Sequence, residues 1–112
     1  MSEEFKIIYK ILKILKDSMD VEEFNPIVIN SERLGISDVK WCKIIKMLYE
    51  NGYIDGISIS QFIGESKPYI SDIENIEITL KGLEYLEENS LMKKASELAK
   101  GMIDIILNNC TL

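Results

Sequence analysis

The sequence predicts a mainly helical α+β domain, a winged helix-turn-helix with a two- or three-stranded antiparallel wing and an added C-terminal helix. Three observations predict this class. Residues 31–51 read as a short helix, a glycine turn and a longer amphipathic helix. Gly52 is placed to end the longer helix, and strand-forming residues begin at Tyr53. Two strand segments within 53–80 would complete the wing.

Length and composition favour one folded domain over a disordered or membrane-spanning chain. The 112 residues are 46% hydrophobic, which suffices for a core, and no apolar run approaches the length of a membrane span. The start, Met-Ser-Glu-Glu, lacks the positive charge of a signal peptide, and two widely separated cysteines indicate reduced thiols. We therefore expect a single cytoplasmic domain over 1–112, with no membrane partner.

Side chains that commonly carry catalysis or hold metals are scarce. Histidine is absent, which removes Ser-His and Cys-His catalysis and histidine-ligated zinc. Cys42 and Cys110 have no metal-ligand spacing, and adjacent carboxylates on a helix point in different directions. A helix N-terminus near Cys42 could lower its pKa, but a half-buried structural thiol is the interpretation we favour. We expect no enzymatic activity, no cofactor and no metal.

The net charge of −6 is unevenly distributed along the chain. Residues 20–30 and 57–80 each carry −3, whereas 1–19 carries +1, 31–56 is neutral and 81–112 carries −1. A DNA-binding domain usually shows a basic surface. The acidic residues thus concentrate in the linker after the first helix and in the wing, which argues against a conventional wing contact with DNA.

The first helix is predicted over 2–19, with Ser2 as its N-cap. Its core-facing positions recur at intervals of three and four: Phe5, Ile7, Ile8, Ile11, Leu12, Ile14, Leu15 and Met19. Lysines follow the opposite face, as a solvated surface or, less favoured, as an anion-facing stripe: Lys6, Lys10, Lys13 and Lys16. A turn at Asn25-Pro26 and an extended piece over 27–29 then lead to the helix-turn-helix.

The second helix of the helix-turn-helix carries most of the DNA-contact candidates. Ser37 is its predicted N-cap, and its buried face consists of Trp41, Ile44, Ile45 and Leu48. Its outward face would enter the major groove. With one wing residue, the DNA-contact candidates are Lys40, Lys43, Lys46, Met47 and Lys67. Lysines suit phosphates better than base edges, and a merely solvent-exposed lysine face is an equally favoured interpretation.

The wing is predicted as a strand over 53–60 with Gly56 as a candidate bulge, a loop over 61–75 and a return strand over 76–80. Loop residues Phe62 and Tyr69 are expected to pack back on the domain. The alternative is an exposed patch for a protein partner.

C-terminal helices are predicted over 80–109, with Thr79 as the N-cap and an interruption at Asn89-Ser90. Gly82 is costly in a helix, so we expect it to pack closely against a neighbour. Apolar residues of the last helix recur at intervals of four and three, and three are protein-contact candidates: Leu98, Met102 and Ile105. This helix either folds back on the first helix, the interpretation we favour, or forms the seam of a homodimer.

Several stretches resemble one family of proteins. Residues 78–90, Ile-Thr-Leu-Lys-Gly-Leu-Glu-Tyr-Leu-Glu-Glu-Asn-Ser, and the following Met92-Lys93-Lys94-Ala95 resemble the C-terminal part of the YjcQ-like family. The first helix and the turn 48–54, Leu-Tyr-Glu-Asn-Gly-Tyr-Ile, are similar too. The resemblance implies a small winged-helix protein of Gram-positive bacteria and their phages and prophages. It supplies no catalytic or ligand residue, because the family has no assigned activity.

Two functions remain open from the sequence. A DNA-binding or regulatory protein, related to phages or prophages and acting on double-stranded DNA, is modestly favoured. The alternative is a protein-interaction module that uses the acidic wing and the C-terminal helix, binds a host or phage protein and does not bind nucleic acid.

Overall fold

The computed structural model describes residues 2–90, which form four helices and four short strands. The helices are α1 (Glu3–Asp17), α2 (Ser31–Leu34), α3 (Asp38–Glu50) and α4, which runs from residue 80 to residue 90. The strands are β1 (Ile54–Asp55), β2 (Ser58–Ser60), β3 (Tyr69–Ser71) and β4 (Glu77–Ile78). Antiparallel pairing joins β1 to β4 and β2 to β3 in two small sheets. The predicted mainly helical α+β class is confirmed.

Short polar residues begin the helices where the sequence predicts them. The side chain of Ser2 accepts a hydrogen bond from the Phe5 amide at 3.3 Å, and that of Ser37 accepts one from the Lys40 amide at 3.1 Å. At the end of α3, Gly52 has a φ of +80°, a left-handed conformation that suits glycine. These contacts satisfy amide and carbonyl groups that helix ends leave without partners.

The core forms between α1, α3 and the strands that follow. Its buried members are Ile7, Ile11, Leu12, Leu15, Ile29, Ile44, Ile45, Leu48, Ile54, Ile57, Ile76 and Leu86. Trp41 is half-buried beside them, and its Nε1 donates to the Ile29 carbonyl at 2.7 Å. The predicted inward positions of Phe5 and Met19 are wrong, since both side chains are more than half exposed. Met19 follows the end of α1, so helical periodicity no longer fixes its direction.

Three local predictions around the turns and strands are wrong. Pro26–Ile29 forms a 3-10 turn rather than an extended piece, because Asn25 caps it and Pro26 suits its first position. Tyr69–Ser71 is a strand, so the loop spans only 61–68. The segment 53–60 divides into two strands that pair with different partners, and Gly56, with a φ of +88°, lies between them.

The beginning of α4 packs closely against the end of α3. Thr79 Oγ1 donates to the Gly52 carbonyl at 2.5 Å and accepts from the Gly82 amide at 3.1 Å. The Thr79 amide donates to the Tyr53 carbonyl at 3.2 Å. A Cβ atom on Gly82 would lie 2.5 Å from the Tyr53 carbonyl oxygen and 2.6 Å from Ile78 Cγ1. The Thr79 cap and the close packing at Gly82 are therefore confirmed.

The predicted interruption of this helix at Asn89-Ser90 is wrong within the described residues. Helix α4 continues through Asn89 and Ser90, and Asn89 Nδ2 donates to the Tyr85 carbonyl at 2.8 Å. The predictions for Leu98, Met102 and Ile105, and the choice between a folded-back helix and a homodimer seam, lie outside the described residues.

We predict that Gly82→Ala destabilises the fold, although alanine is normally the better helix former by about 1 kcal/mol. The added methyl group meets the Tyr53 backbone and the half-buried Ile78 side chain, so a loss of about 1–3 kcal/mol in the free energy of unfolding is expected. Urea denaturation followed by circular dichroism measures it. Glu84→Ala, at an exposed position of the same helix, is the control and should change stability little. An unchanged or raised stability in Gly82→Ala would contradict the close packing.

Candidate nucleic-acid interface

The outward side of α3 carries four of the five DNA-contact candidates. Burial of Cys42, Ile44, Ile45 and Leu48 turns the other side of the helix to the core. Lys43 and Met47 are exposed, while Lys40 and Lys46 are half-exposed. The helix therefore presents lysines at intervals of three along one accessible side.

Most of these lysines already have carboxylate partners. Lys40 Nζ lies 3.0 Å from Glu4 Oε1, and Lys46 Nζ lies 3.6 Å from Glu50 Oε1. Among residues 2–90, Lys43 has no carboxylate within ion-pair distance. The hydrogen bond to Glu4 raises the pKa of Lys40, which stays charged. Exposed ion pairs of this kind contribute little to stability.

The loop 61–68 lies alongside α3. Its Lys67 forms an ion pair with Asp38 in the first turn of the helix. Gln61 Oε1 accepts a hydrogen bond from Lys46 Nζ at 3.4 Å, while Gln61 Nε2 donates to the Glu65 carbonyl at 2.8 Å. These contacts and the burial of Pro68 hold the β2–β3 hairpin against the helix.

A shallow groove of about 460 Å³ runs between the helix and this loop. Its lining residues are Lys43, Lys46, Met47, Glu50, Gln61, Ser66 and Pro68. The structure thus brings three of the predicted contact residues together with two polar loop residues, Gln61 and Ser66, that the sequence analysis did not single out. Nothing in local spacing identifies them, because they meet α3 only through the pairing of β2 with β3.

The tip of the loop is apolar and exposed. Phe62 is 58% exposed and Ile63 is fully exposed, while Tyr69 at the start of β3 is 60% exposed. The expectation that Phe62 and Tyr69 pack back on the domain is therefore wrong. In β3 it is the next residue, Ile70, that packs against the core, and successive side chains of a strand point to opposite faces.

Cys42 is a structural thiol. Its side chain is buried, and burial, followed by the negative charge of Asp38, raises its pKa. A raised pKa is the reverse of what a reactive cysteine needs. Within residues 2–90 no group of histidine, cysteine or carboxylate side chains is arranged to hold a metal ion. In the same range, no helix combines the length and apolar character required to cross a bilayer.

Comparison with known families identifies the class of this chain. A family model described as "YjcQ protein" matches residues 9–105, and the chain belongs to that family. The resemblance noted in the sequence is thereby confirmed. Searches of curated proteins and of solved structures gave no significant match.

We predict that the ion pair between Lys67 and Asp38 holds the loop on α3. Lys67→Gln and Asp38→Asn each remove it, and ¹⁵N relaxation should show lower order parameters for the amides of 61–68 in both variants. Lys13→Gln, which removes the Lys13–Asp17 pair within α1, is the control and should leave the loop unchanged. If the order parameters of the loop amides are unchanged in both variants, the ion pair does not hold the loop, and the burial of Pro68 does.

We also predict slow alkylation of Cys42. In a Cys110→Ser background, iodoacetamide at pH 8 should modify the folded protein far more slowly than the same protein unfolded in urea. The reason is that burial both hides the sulfur and disfavours its thiolate. Equal rates in the folded and unfolded protein would contradict the structural role.

Proposed function

We propose that this protein is a winged helix-turn-helix that binds double-stranded DNA, with α3 as the recognition helix and the β2–β3 hairpin as the wing. Helix α2, the turn at Gly35 with a φ of +70° and helix α3 supply the three parts of a helix-turn-helix. The observation that carries the proposal is the grouping of Lys40, Lys43 and Lys46 on the accessible side of α3.

The groove between α3 and the loop supports the same mode of binding. When a recognition helix enters the major groove, a phosphate strand passes beside it, between helix and wing. Lys43 and Lys46 would neutralise phosphates there, and Gln61 and Ser66 would donate hydrogen bonds to phosphate oxygens. Lys67 could contact a phosphate only if its ion pair with Asp38 were broken.

The expected binding is weak and poorly selective for sequence. The outward side of α3 offers lysines, whereas base discrimination depends mainly on arginine, asparagine and glutamine. The net charge of −6 opposes association with a polyanion. A homodimer would double the contacts and raise the affinity. The resemblance to the YjcQ-like family implies a protein of Gram-positive bacteria or of their phages and prophages. The role proposed with it is cytoplasmic, regulatory and non-enzymatic.

A protein-interaction module is the second candidate function. The exposed apolar tip of the loop favours it, because Phe62 is 58% exposed and Ile63 is fully exposed. On this alternative the wing would contact a host or phage protein, and α3 would serve only to support the hairpin.

Fluorescence anisotropy with mixed-sequence duplex DNA tests the DNA proposal. If Lys40, Lys43 and Lys46 each contact one phosphate, a fourfold rise in salt should weaken binding about fortyfold. Lys40→Glu with Lys43→Glu should abolish binding at low salt. Lys40→Glu places a second carboxylate beside Glu4, so Lys40→Gln with Lys43→Gln is the milder variant. It should reduce the slope of log binding constant against log salt concentration by about two.

Matched reversals on α1 provide the control. Lys10→Glu with Lys16→Glu makes the same change in net charge at exposed positions and should leave most of the binding intact. Unchanged binding by the α3 variants would rule out α3 as the recognition helix. Flat anisotropy for the folded wild-type protein at both salt concentrations would favour the protein-interaction module.

A further inference from the structure

A second and larger groove shares no lining residue with the groove at α3. It has a volume of about 590 Å³. One wall is the end of α1 with the segment that follows it, and the other is the segment 74–78 together with Gly56. The first wall belongs to a part of the chain far from the wing in sequence, so only the tertiary fold creates this surface.

The apolar surface of this groove comes from a few side chains within a largely polar lining. Leu15 and Ile76 are buried and offer little surface, and Phe24 and Ile78 are half-buried. Met19 is 61% exposed and Val21 is 56% exposed, although both are large hydrophobic side chains. A flexible methionine at such a position can adapt to side chains of varied shape.

The rim of the groove is acidic. Glu22 lies on one wall and Glu74 and Glu77 on the other, and all three are exposed. Among residues 2–90, no lysine or arginine lines the groove. None of the three forms an ion pair within the described part of the chain. The two segments that carry −3 each in the sequence therefore meet at one surface, and their carboxylates are not neutralised there.

We infer that this groove binds a cationic, apolar peptide segment of a partner protein. Apolar side chains of such a segment pack on Met19, Val21 and Phe24, while interleaved lysines or arginines pair with the carboxylates on both walls. A metal ion does not fit, because these carboxylates are not grouped as ligands. A nucleic acid does not fit either, because its charge has the same sign as the rim. The inference is independent of DNA binding at α3.

Defined peptides and the full-length protein test this inference. The probe is a short fluorescein-labelled peptide of alternating lysine and leucine, and the matched probes are lysine–serine and glutamate–leucine peptides. We expect the lysine–leucine peptide to bind in the micromolar range and both matched probes to bind much more weakly. Equal binding of the lysine–serine peptide would show attraction by charge alone and would overturn the inference.

Two sets of substitutions locate the peptide-binding site on the protein. Glu22→Gln, Glu74→Gln and Glu77→Gln together should weaken binding of the lysine–leucine peptide about tenfold, since three exposed ion pairs are lost. The control, with Glu32→Gln, Glu84→Gln and Glu87→Gln, makes the same change in net charge at exposed residues outside the groove. It should bind as the wild type does. Equal losses in both triple variants would overturn the assignment to the groove.

A further variant distinguishes a partner from the chain's own C-terminal segment. Lys93 and Lys94, beside Leu91 and Met92, give that segment a similar chemistry. If wild-type protein fails to bind the peptide but a variant with Lys93→Glu and Lys94→Glu binds it, the groove serves this chain's own segment and the inference is overturned. Absence of binding by both proteins would overturn it as well.

Discussion

The contact between Gly82 and the backbone of Tyr53 is the constraint on which the rest of this fold depends. Glycine lets α4 approach so closely that Thr79 can bridge to the Gly52 carbonyl, which joins the end of α3 to the start of α4. The same approach places β4 beside β1. An edge-to-face contact between Tyr53 and Tyr85, with ring centroids 5.5 Å apart, covers the junction. The chain between β1 and β4 must therefore project as a hairpin.

The position of that hairpin decides what α3 can present. Because β2 and β3 pair between the two ends of the junction, their loop lies along the helix and Lys67 reaches Asp38. Lys43 and Lys46 of α3 thus line an open groove beside this loop. The carboxylate partners of Lys40 and Lys46 are exposed, so these ion pairs contribute little to stability. An anion that approached this side would compete with weak surface pairs and not with buried ones.

The parts of this structure that depend on local chemistry could be predicted from the sequence. The parts that depend on pairing between distant segments could not. Ser2, Ser37 and Thr79 satisfy amides one turn away, and Gly52 adopts the φ that a helix end requires, so spacing alone identifies them. Strand β3 is three residues long and is stabilised by β2, so its own sequence carries too little signal. Helical periodicity also fails for Met19, which lies just beyond the end of α1.

The positions of the charged residues in space likewise depend on the fold and could not be predicted from the sequence alone. A net charge of −6 opposes DNA binding most strongly where the acidic residues lie near the lysines, because salt screens more distant charges. Three acidic residues do lie near the lysines, because Glu4, Asp38 and Glu50 form ion pairs with basic side chains at α3. Glu22, Glu74 and Glu77 instead border a different groove, which shares no lining residue with the groove at α3. The fold therefore separates these three carboxylates from the lysines of α3, so substitutions at the two grooves can be made independently.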